Sequence, residues 1–396
     1  MVKRLGIAAA VLIGAGACTA LLDVPDVTVS HVRCEDGKCV CEPHHAHCVA
    51  SSADQCETDL RTASEHCGAC GHDCLGGECQ DGVCQPLVIA SVAGARGLVA
   101  HQGEVYLAVC RDLDPDAGAN VLAFLRLHFE GGAAEPAVHG PKCGELPLLK
   151  GDTLYWSGTR ELGQGAIQSI SMPPKSDMPP VTPVVDGTIA VGLAATDVNV
   201  YWRELAFEPP STWTDTGLWM KPLQGGTREL LVEETISTAA SGDTVYWTSP
   251  EGSPAGPGVF QRSEATGATV RITSIAGRNM ASDEGHVYFW VKDGTDEVPA
   301  GIYAMPIPIT NPAAPPEPEL LVPGVESMGA IAAKGGVLIW IENVASEIKM
   351  LDLGAGAGAK PRLLVDRIGF GGVARLAADD KAVYFIGDSV VGRVAR

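Results

Sequence analysis

The side chains of this sequence that are best suited to chemistry are cysteines, which can form disulfides, bind metal ions or carry a lipid. Ten of the 13 cysteines crowd into a stretch of about 50 residues that has almost no large apolar side chains. They are Cys34, Cys39, Cys41, Cys48, Cys56, Cys67, Cys70, Cys74, Cys79 and Cys84. So short a segment cannot bury a self-sufficient hydrophobic core, and we therefore expect cross-links to stabilise it.

Two parts of this stretch also have the spacing of metal ligands. Residues 67–74 hold a Cys-x-x-Cys pair with a histidine and a further cysteine, and residues 44–48 hold His44, His45 and His47 followed by a cysteine. The oxidising compartment expected for an exported protein favours disulfides over zinc-bound thiolates. We expect the ten cysteines to pair, in one of on the order of a thousand connectivities. The three histidines form either a metal site or a solvated loop.

The cysteine spacing from Cys67 to Cys84 follows the pattern CGxCGxxCxxGxCxxGxC. This pattern resembles the Cys-rich repeat of the plant stigma-specific protein family, and it is similar to modules that precede propellers in secreted bacterial proteins. Ala63-Ser64-Glu65 departs from the Asp-Pro that usually stands there. The resemblance implies a disulfide framework over residues 34–85 and no particular activity.

Cys18, which precedes these ten cysteines in the chain, follows a segment typical of an export signal. Lys3 and Arg4 precede an apolar run over residues 5–17, which is too short to span a bilayer. Ala15-Gly16-Ala17-Cys18 resembles a bacterial lipobox, although Ala15 stands where Leu is usual, and the same residues suit ordinary signal-peptidase cleavage. Because removing Cys18 leaves an even 12 cysteines for pairing, we expect it to be lipidated. This predicts a signal peptide (1–17) and a tether (18–33).

The predicted address is therefore the cell envelope of a bacterium, in the outer membrane or periplasm. Without the lipid on Cys18 the protein would be secreted. The formal net charge of -20 makes nucleic acid and anionic membrane surfaces poor partners, so membrane contact is expected through the lipid alone.

Motifs that carry catalysis or bind phosphate are missing from the sequence. It contains neither a Gly-x-Ser-x-Gly elbow, a His-Glu-x-x-His pair nor a phosphate-binding glycine loop. Asp112-x-Asp114-x-Asp116 resembles the start of a calcium loop, but Pro115 and Ala123 do not suit the turn and the closing ligand. We expect no cofactor, with calcium as the weaker alternative.

The element that must position any functional group is a repeat that recurs seven times from residue 98 onward. Its core copies are Val105-Tyr106-Leu107, Leu154-Tyr155-Trp156, Val200-Tyr201-Trp202, Val245-Tyr246-Trp247, Val287-Tyr288-Phe289, Leu338-Ile339-Trp340 and Val383-Tyr384-Phe385. The spacing of about 42 to 51 residues is that of one four-stranded propeller blade. We predict an all-β fold, a seven-bladed propeller over residues 86–396, with six or eight blades as alternatives.

Two further features of the repeat bear on this prediction. Successive side chains of a strand point to opposite faces, so the tyrosine and tryptophan should pack against different neighbouring blades. The last repeat lacks a fourth strand, and residues 86–91 have the pattern of one. We expect that N-terminal strand to close the ring.

The Tyr-Trp strand resembles the YWTD propellers of lipoprotein receptors, most closely at Tyr246-Trp247-Thr248-Ser249. It is similar also to bacterial TolB-like propellers. Both resemblances cover the blades alone and imply a binding scaffold without naming a ligand.

Ligands of propellers usually meet the face that carries the loops from strand two to strand three and from blade to blade, which we call the top face. The loop predicted over residues 203–215 adds Trp213, an aromatic outside the repeat pattern, beside prolines that stiffen it. Such a ring suits sugar stacking or peptide contact, or else folds back onto its own loop. The candidate ligand-binding residues are Trp213, Arg203, Glu204 and Arg160. In blade one, Cys110 and Cys143 bracket an insertion and are expected to form a disulfide.

These features predict a monomeric, lipid-anchored, extracytoplasmic binding or scaffold protein whose partner is a protein or a carbohydrate. Catalysis is the less favoured interpretation. The alternative is a propeller hydrolase or lyase acting on carbohydrate, with Trp213 and carboxylates such as Glu161, Glu204 and Glu342 at the mouth of the channel.

Overall fold

The computed structural model describes residues 31–35, 38–48, 56–112, 121–140, 143–159, 165–174, 180–208, 212–309, 311, 314–343, 346–356, 358–366, 375–387 and 389–396. The predicted signal peptide, Cys18, Arg160, Glu161, Asp114 and Asp116 lie outside these residues, and so does most of the predicted tether.

Three short hairpins form the N-terminal module. They are β1 (Val32–Glu35) with β2 (Lys38–Cys41), β3 (His45–Ala46) with β4 (Thr58–Asp59), and β5 (Cys79–Gln80) with β6 (Val83–Cys84). The described disulfides of the module are Cys41–Cys56, Cys48–Cys70, Cys67–Cys79 and Cys74–Cys84. Cys34 and Cys39 occupy paired positions of the first ladder. Together with the Cys110–Cys143 disulfide, these bridges indicate an extracytoplasmic protein.

Seven four-stranded antiparallel sheets follow, which confirms the seven-bladed prediction. The first three blades are β8 (Gly97–His101), β9 (Glu104–Asp112), β10 (Val121–His128) and β11 (Glu135–Gly140); β12 (Glu145–Lys150), β13 (Thr153–Thr159), β14 (Gly165–Ser171) and β15 (Thr182–Asp186); and β16 (Ile189–Ala195), β17 (Asn199–Glu208), β18 (Thr212–Pro222) and β19 (Glu229–Val232). The next three are β20 (Ser237–Ser241), β21 (Thr244–Ser249), β22 (Gly258–Ser263) and β23 (Thr269–Thr273); β24 (Arg278–Ser282), β25 (His286–Val291), β26 (Gly301–Pro306) and β27 (Glu319–Pro323); and β28 (Met328–Lys334), β29 (Val337–Glu342), β30 (Glu347–Asp352) and β31 (Arg362–Val365).

Blade seven joins the two ends of the propeller. Its strands are β32 (Arg375–Ala378), β33 (Ala382–Gly387), β34 (Val390–Ala395) and, as the outer strand, β7 (Leu87–Ser91) from the start of the propeller. Val391 pairs with Ala90 and Gly392 with Val88. The first strand of each blade lines the central channel, and β32 lies beside β8, so the ring is closed.

The hydrophobic core lies between the blades, because successive side chains at the centre of each second strand point to opposite faces of the sheet. Each pair named here shares one buried cluster across a blade boundary: Tyr106 with Trp156, Tyr201 with Trp247, Tyr246 with Phe289, Tyr288 with Trp340, Ile339 with Phe385, and Tyr384 with Leu107. Trp202 packs on the side of blade three opposite to that of Tyr201, against Ile167 and Val185 of blade two. Full burial of one such side chain stabilises the fold by about 1.5–3 kcal/mol.

The N-terminal module is docked against blade seven. Arg393 is only 3% exposed and donates to the carbonyl oxygens of Leu75 in the module and Phe129 in blade one. His72 lies 2.7 Å, through Nε2, from the carbonyl oxygen of Arg396. Cys67, Cys74 and Cys84 pack with Ala395 in one buried cluster.

Helix is almost absent from the described part of the chain. It contains a single 3-10 turn, Leu353–Ala355. Among these residues, no helix is long and apolar enough to cross a membrane.

Candidate functional site

The longest hairpin among the described blades rises from blade three on the top face. The sequence predicts a loop over residues 203–215, but β17 continues to Glu208 and β18 begins at Thr212. This corrects the predicted loop, and the reason is local, because β-branched and aromatic residues such as Thr212 and Trp213 favour a strand. The candidate aromatic therefore lies on a strand.

Trp213 pairs with Phe207 across this hairpin, close to its tip. The side chain is 44% exposed, although the residues that pack the core are close to fully buried. An exposed indole on a paired strand has few backbone degrees of freedom to lose on binding, which suits a stacking contact.

A β-bulge below the tip of the hairpin determines which charged side chains lie next to each other. Glu204 pairs with Gly217 and Leu205 with Asp215, which leaves Thr216 unpaired. Gly217 adopts φ of 104°, and a Cβ there would lie 2.2 Å from the Val232 carbonyl oxygen, so the bulge requires glycine.

The bulge brings Asp215 next to Arg203. Arg203 Nε lies 2.9 Å from Asp215 Oδ2, and Arg203 Nη1 donates to the carbonyl oxygen of Ile236 at 2.8 Å. Because Ile236 belongs to the connection from blade three to blade four, Arg203 ties the hairpin to the neighbouring blade.

Glu204 is 9% exposed and is surrounded by donors. Its Oε2 accepts from Thr188 Oγ1 at 2.5 Å, from Trp202 Nε1 at 2.9 Å and from Arg228 Nη1 at 2.9 Å. The Arg228 guanidinium also lies over the Trp219 ring, 4.6 Å from its centroid. Glu204 thus stabilises the base of the hairpin through these hydrogen bonds.

A groove of about 220 Å³ opens on the top face beside this hairpin, between blades four and five. Its lining residues are Ile236, Pro250, Glu251, Ala276, Gly277, Arg278, Val291, Lys292 and Asp293, and we call it the blade four–five groove. It shares Ile236 with the contact of Arg203. The base of the hairpin therefore meets the groove at Ile236.

Arg278 is the most distinctive group of the groove. It is exposed, and within the described parts of the chain its guanidinium forms neither an ion pair nor a hydrogen bond. The preceding Gly277 lies against the ring of Phe289, where a Cβ would approach Cδ2 to 2.6 Å. Sequence analysis missed Arg278. The signal was present, since Arg278 and Arg375 stand at the start of a first strand, where blade four has Ser237.

Arg278 and Arg375 occupy equivalent positions in the ring. Arg278 pairs with Trp290 and Arg375 with Ile386, each the second residue after the repeat tyrosine. Arg375 lines a channel space of about 220 Å³ among leucines of blades one, two, three and seven, and burial lowers the pKa of its guanidinium. The inner strands of blades five and seven thus each begin with an arginine, Arg278 and Arg375 respectively.

Larger cavities, of about 500 and 630 Å³, lie on the opposite face. Two of the carboxylates there, those of Asp283 and Asp352, accept hydrogen bonds from the backbone of their own turns. Asp283 Oδ1 accepts from the backbone N–H groups of Gly285 and His286, and its Oδ2 accepts from Tyr288 Oη at 2.7 Å. Groups engaged in this way shape the turn, so we take the top face as the candidate site.

The other predicted site residues divide between the described and undescribed parts of the chain. Cys110 and Cys143 form a disulfide in blade one. Arg160 lies outside the described residues, as does most of the possible calcium loop. Arg203, Glu204 and Trp213 share the blade-three hairpin, where Arg203 and Glu204 are held by protein partners and Trp213 is exposed.

Comparison with solved structures finds weak similarities to several proteins. Virginiamycin B lyase from Staphylococcus aureus is 10% identical, with a TM-score of 0.48 over 79% of this chain and 98% of that one. Oligogalacturonate lyase from Vibrio parahaemolyticus is 10% identical, with a TM-score of 0.49 over 78% and 91%. The nidogen/laminin complex is matched at 13% identity, with a TM-score of 0.39 over 65% and 89%. At these levels the likeness says nothing about ligand or reaction. No protein-family model matches the chain, and no curated protein matches it.

Proposed function

We propose that this chain is an extracytoplasmic, lipid-anchored binding protein whose ligand contacts the top face of the propeller. The observation that supports the proposal is the contact at Ile236 between the base of the blade-three hairpin and the blade four–five groove. The exposed Trp213 stands on a hairpin that Arg203 ties to Ile236, and Ile236 lines the groove in which Arg278 is unpaired among the described residues.

The chemistry of this surface favours a ligand with a flat apolar face and an anionic group. An indole stacks on a sugar ring or a peptide side chain, and an unpaired guanidinium binds a carboxylate with a pair of parallel hydrogen bonds. The chain carries a net charge of -20. The Arg278 guanidinium, which has no partner among the described residues, therefore provides a local positive charge that attracts an anionic group. The ligand class is an acidic oligosaccharide or an acidic peptide segment.

The test is a glycan and peptide array probed with residues 19–396. We expect saturable binding that falls at least about tenfold in both Trp213→Ala and Arg278→Gln, since each change removes a contact worth about 1.4 kcal/mol or more. Val198→Ala is the matched control, because Val198 is 49% exposed in the turn at the other end of the same blade. Equal binding by all variants, or no binding on either array, would contradict the proposal. Cross-linking in the native membrane would then be needed to find a partner protein.

The two described carboxylates named for the enzymatic alternative, Glu204 and Glu342, are paired with cations. Glu204 is paired with Arg228 and Glu342 with Lys349, whose Nζ lies 2.8 Å from Glu342 Oε2. A general acid or base must face the substrate, and these two groups face protein cations. We therefore propose binding, with the Cys-rich module, which resembles that of the stigma-specific family, as the spacer between anchor and propeller.

The lipid anchor rests on Cys18 and on the small residues before it. We expect a Cys18→Ala variant expressed in a bacterial host to leave the membrane fraction for the soluble one, because its only predicted membrane contact is the acyl chains. Unchanged fractionation of this variant would refute the anchor without touching the proposed ligand-binding surface.

A further inference from the structure

Two histidines and a glutamate meet at the edge of the N-terminal module. His31 precedes β1, Glu42 follows β2, and His45 begins β3. His31 Nδ1 lies 3.3 Å from Glu42 Oε2, and the rings of His31 and His45 stack with centroids 3.7 Å apart. One ligand atom from each residue lies within 4.8 Å of the other two. The sequence did not reveal this group, because His31 falls in the predicted tether.

Backbone contacts hold the three residues in place. Glu42 N–H donates to the carbonyl oxygen of His31 at 2.8 Å, and His45 N–H donates to that of Glu42 at 3.0 Å. The Cys41–Cys56 disulfide fixes the residue next to Glu42. The cluster is thus anchored by cross-linked backbone, which lowers the entropy that a bound ligand would have to remove.

One ring nitrogen of this cluster, His45 Nδ1, is buried without a hydrogen-bond partner among the described residues. Buried polar atoms are nearly always paired, so an imidazole nitrogen left alone beside a second imidazole and a carboxylate calls for a partner. An ion that accepts nitrogen and oxygen donors supplies one.

The described sulfur atoms of the module offer no such site. Cys67, Cys74 and Cys84 also cluster closely, but each belongs to a disulfide and cannot act as a thiolate ligand. His47 is engaged with Glu57, whose Oε2 lies 3.2 Å from its Nδ1. The available donor set is therefore two imidazoles and one carboxylate.

We propose that His31, Glu42 and His45 bind a divalent transition-metal ion of the zinc class. Two histidines and a glutamate are a donor set that zinc takes with water as its fourth ligand. The parallel rings must tilt so that their lone pairs converge, which is open to them because His31 and Glu42 are exposed and His45 is only partly buried.

The test uses the purified, fully oxidised chain after treatment with a chelator. Calorimetric titration with Zn²⁺ at about pH 7.5 should show one saturable site. In the double variant His31→Ala/His45→Ala the affinity should fall at least about tenfold, and in Glu42→Gln it should fall as well. His286→Ala is the control, since His286 is exposed on blade five, and its affinity should match that of the wild type.

A second readout keeps a folding defect from hiding the result. Free thiols are counted in each variant to show that the disulfides are intact. Excess Zn²⁺ should raise the melting temperature of the wild type and of His286→Ala but not that of the double variant, because an ion that binds only the folded state stabilises it. Absence of a saturable site in the wild type, or undiminished affinity in the double variant, would overturn the proposal.

Discussion

At the scale of single residues, the repeat tyrosines do more than fill space. Tyr288 donates to Asp283 at 2.7 Å and Tyr384 to Asp379 at 3.0 Å, each reaching the turn between the first two strands of its own blade. Tyr201 donates at 2.5 Å to Glu264, which lies in the next blade. The side chain that packs against the neighbouring blade thus also holds a polar turn in position.

Burial of these tyrosines predicts a loss of stability in alkali. Burial is the first cause that raises the pKa of Tyr246, from about 10 to about 12, and it raises the pKa values of Tyr201 and Tyr288 as well. A raised pKa means that the folded state keeps its proton while the unfolded state loses it. The stabilisation is therefore complete below pH 10 and declines as the pH rises towards 12.

The measurement is the free energy of unfolding in urea at several values between about pH 9 and pH 11.5. The decline should be shallower in Tyr246→Phe than in the wild type, by up to about 1.4 kcal/mol per pH unit. Identical slopes for the two proteins would show that Tyr246 does not contribute.

At the scale of elements, β7 is the strand on which ring closure depends. Ile89 of this strand is 6% exposed and lies in the cluster that joins blades one and seven, whereas its neighbour Val88 is 60% exposed. The two residues point to opposite faces of the same strand, so they offer a matched pair of substitutions.

We expect Ile89→Asp to lower the free energy of unfolding by at least about 3 kcal/mol, because it places a carboxylate in an apolar cluster. Val88→Asp should change it by less than about 0.5 kcal/mol, since that side chain faces solvent. Urea unfolding of both variants is the measurement, and equal effects would mean that β7 does not hold the closing sheet in solution.

Blade boundaries were largely predictable from the sequence because the repeat is local. The repeat copies predicted at 154–156, 200–202 and 245–247, for example, lie within the second strands β13, β17 and β21. The extension of the blade-three hairpin was not predictable in the same way. A Pro-Pro step signals a turn, but it does not say how far a ladder continues on either side.

At the scale of the whole molecule, the module and the propeller are joined by contacts that no local pattern reveals. Arg393 bridges Leu75 and Phe129, and His72 meets Arg396, in each case between residues far apart in the chain. The candidate site shows the same limit. Trp213 and Arg203 stood out by type, but the link through Ile236 to Arg278, and the meeting of His31 with Glu42 and His45, depend on tertiary packing.

Closure by β7 also sets an order of assembly. The Cys-rich module and β7 precede six complete blades in the chain, so β7 can pair only after β34 has been made. Until then the nascent ring keeps an open edge at each end. A chain cut short before β34 would therefore keep both edges unpaired, and we expect proteases to attack it more readily than a chain whose ring has closed.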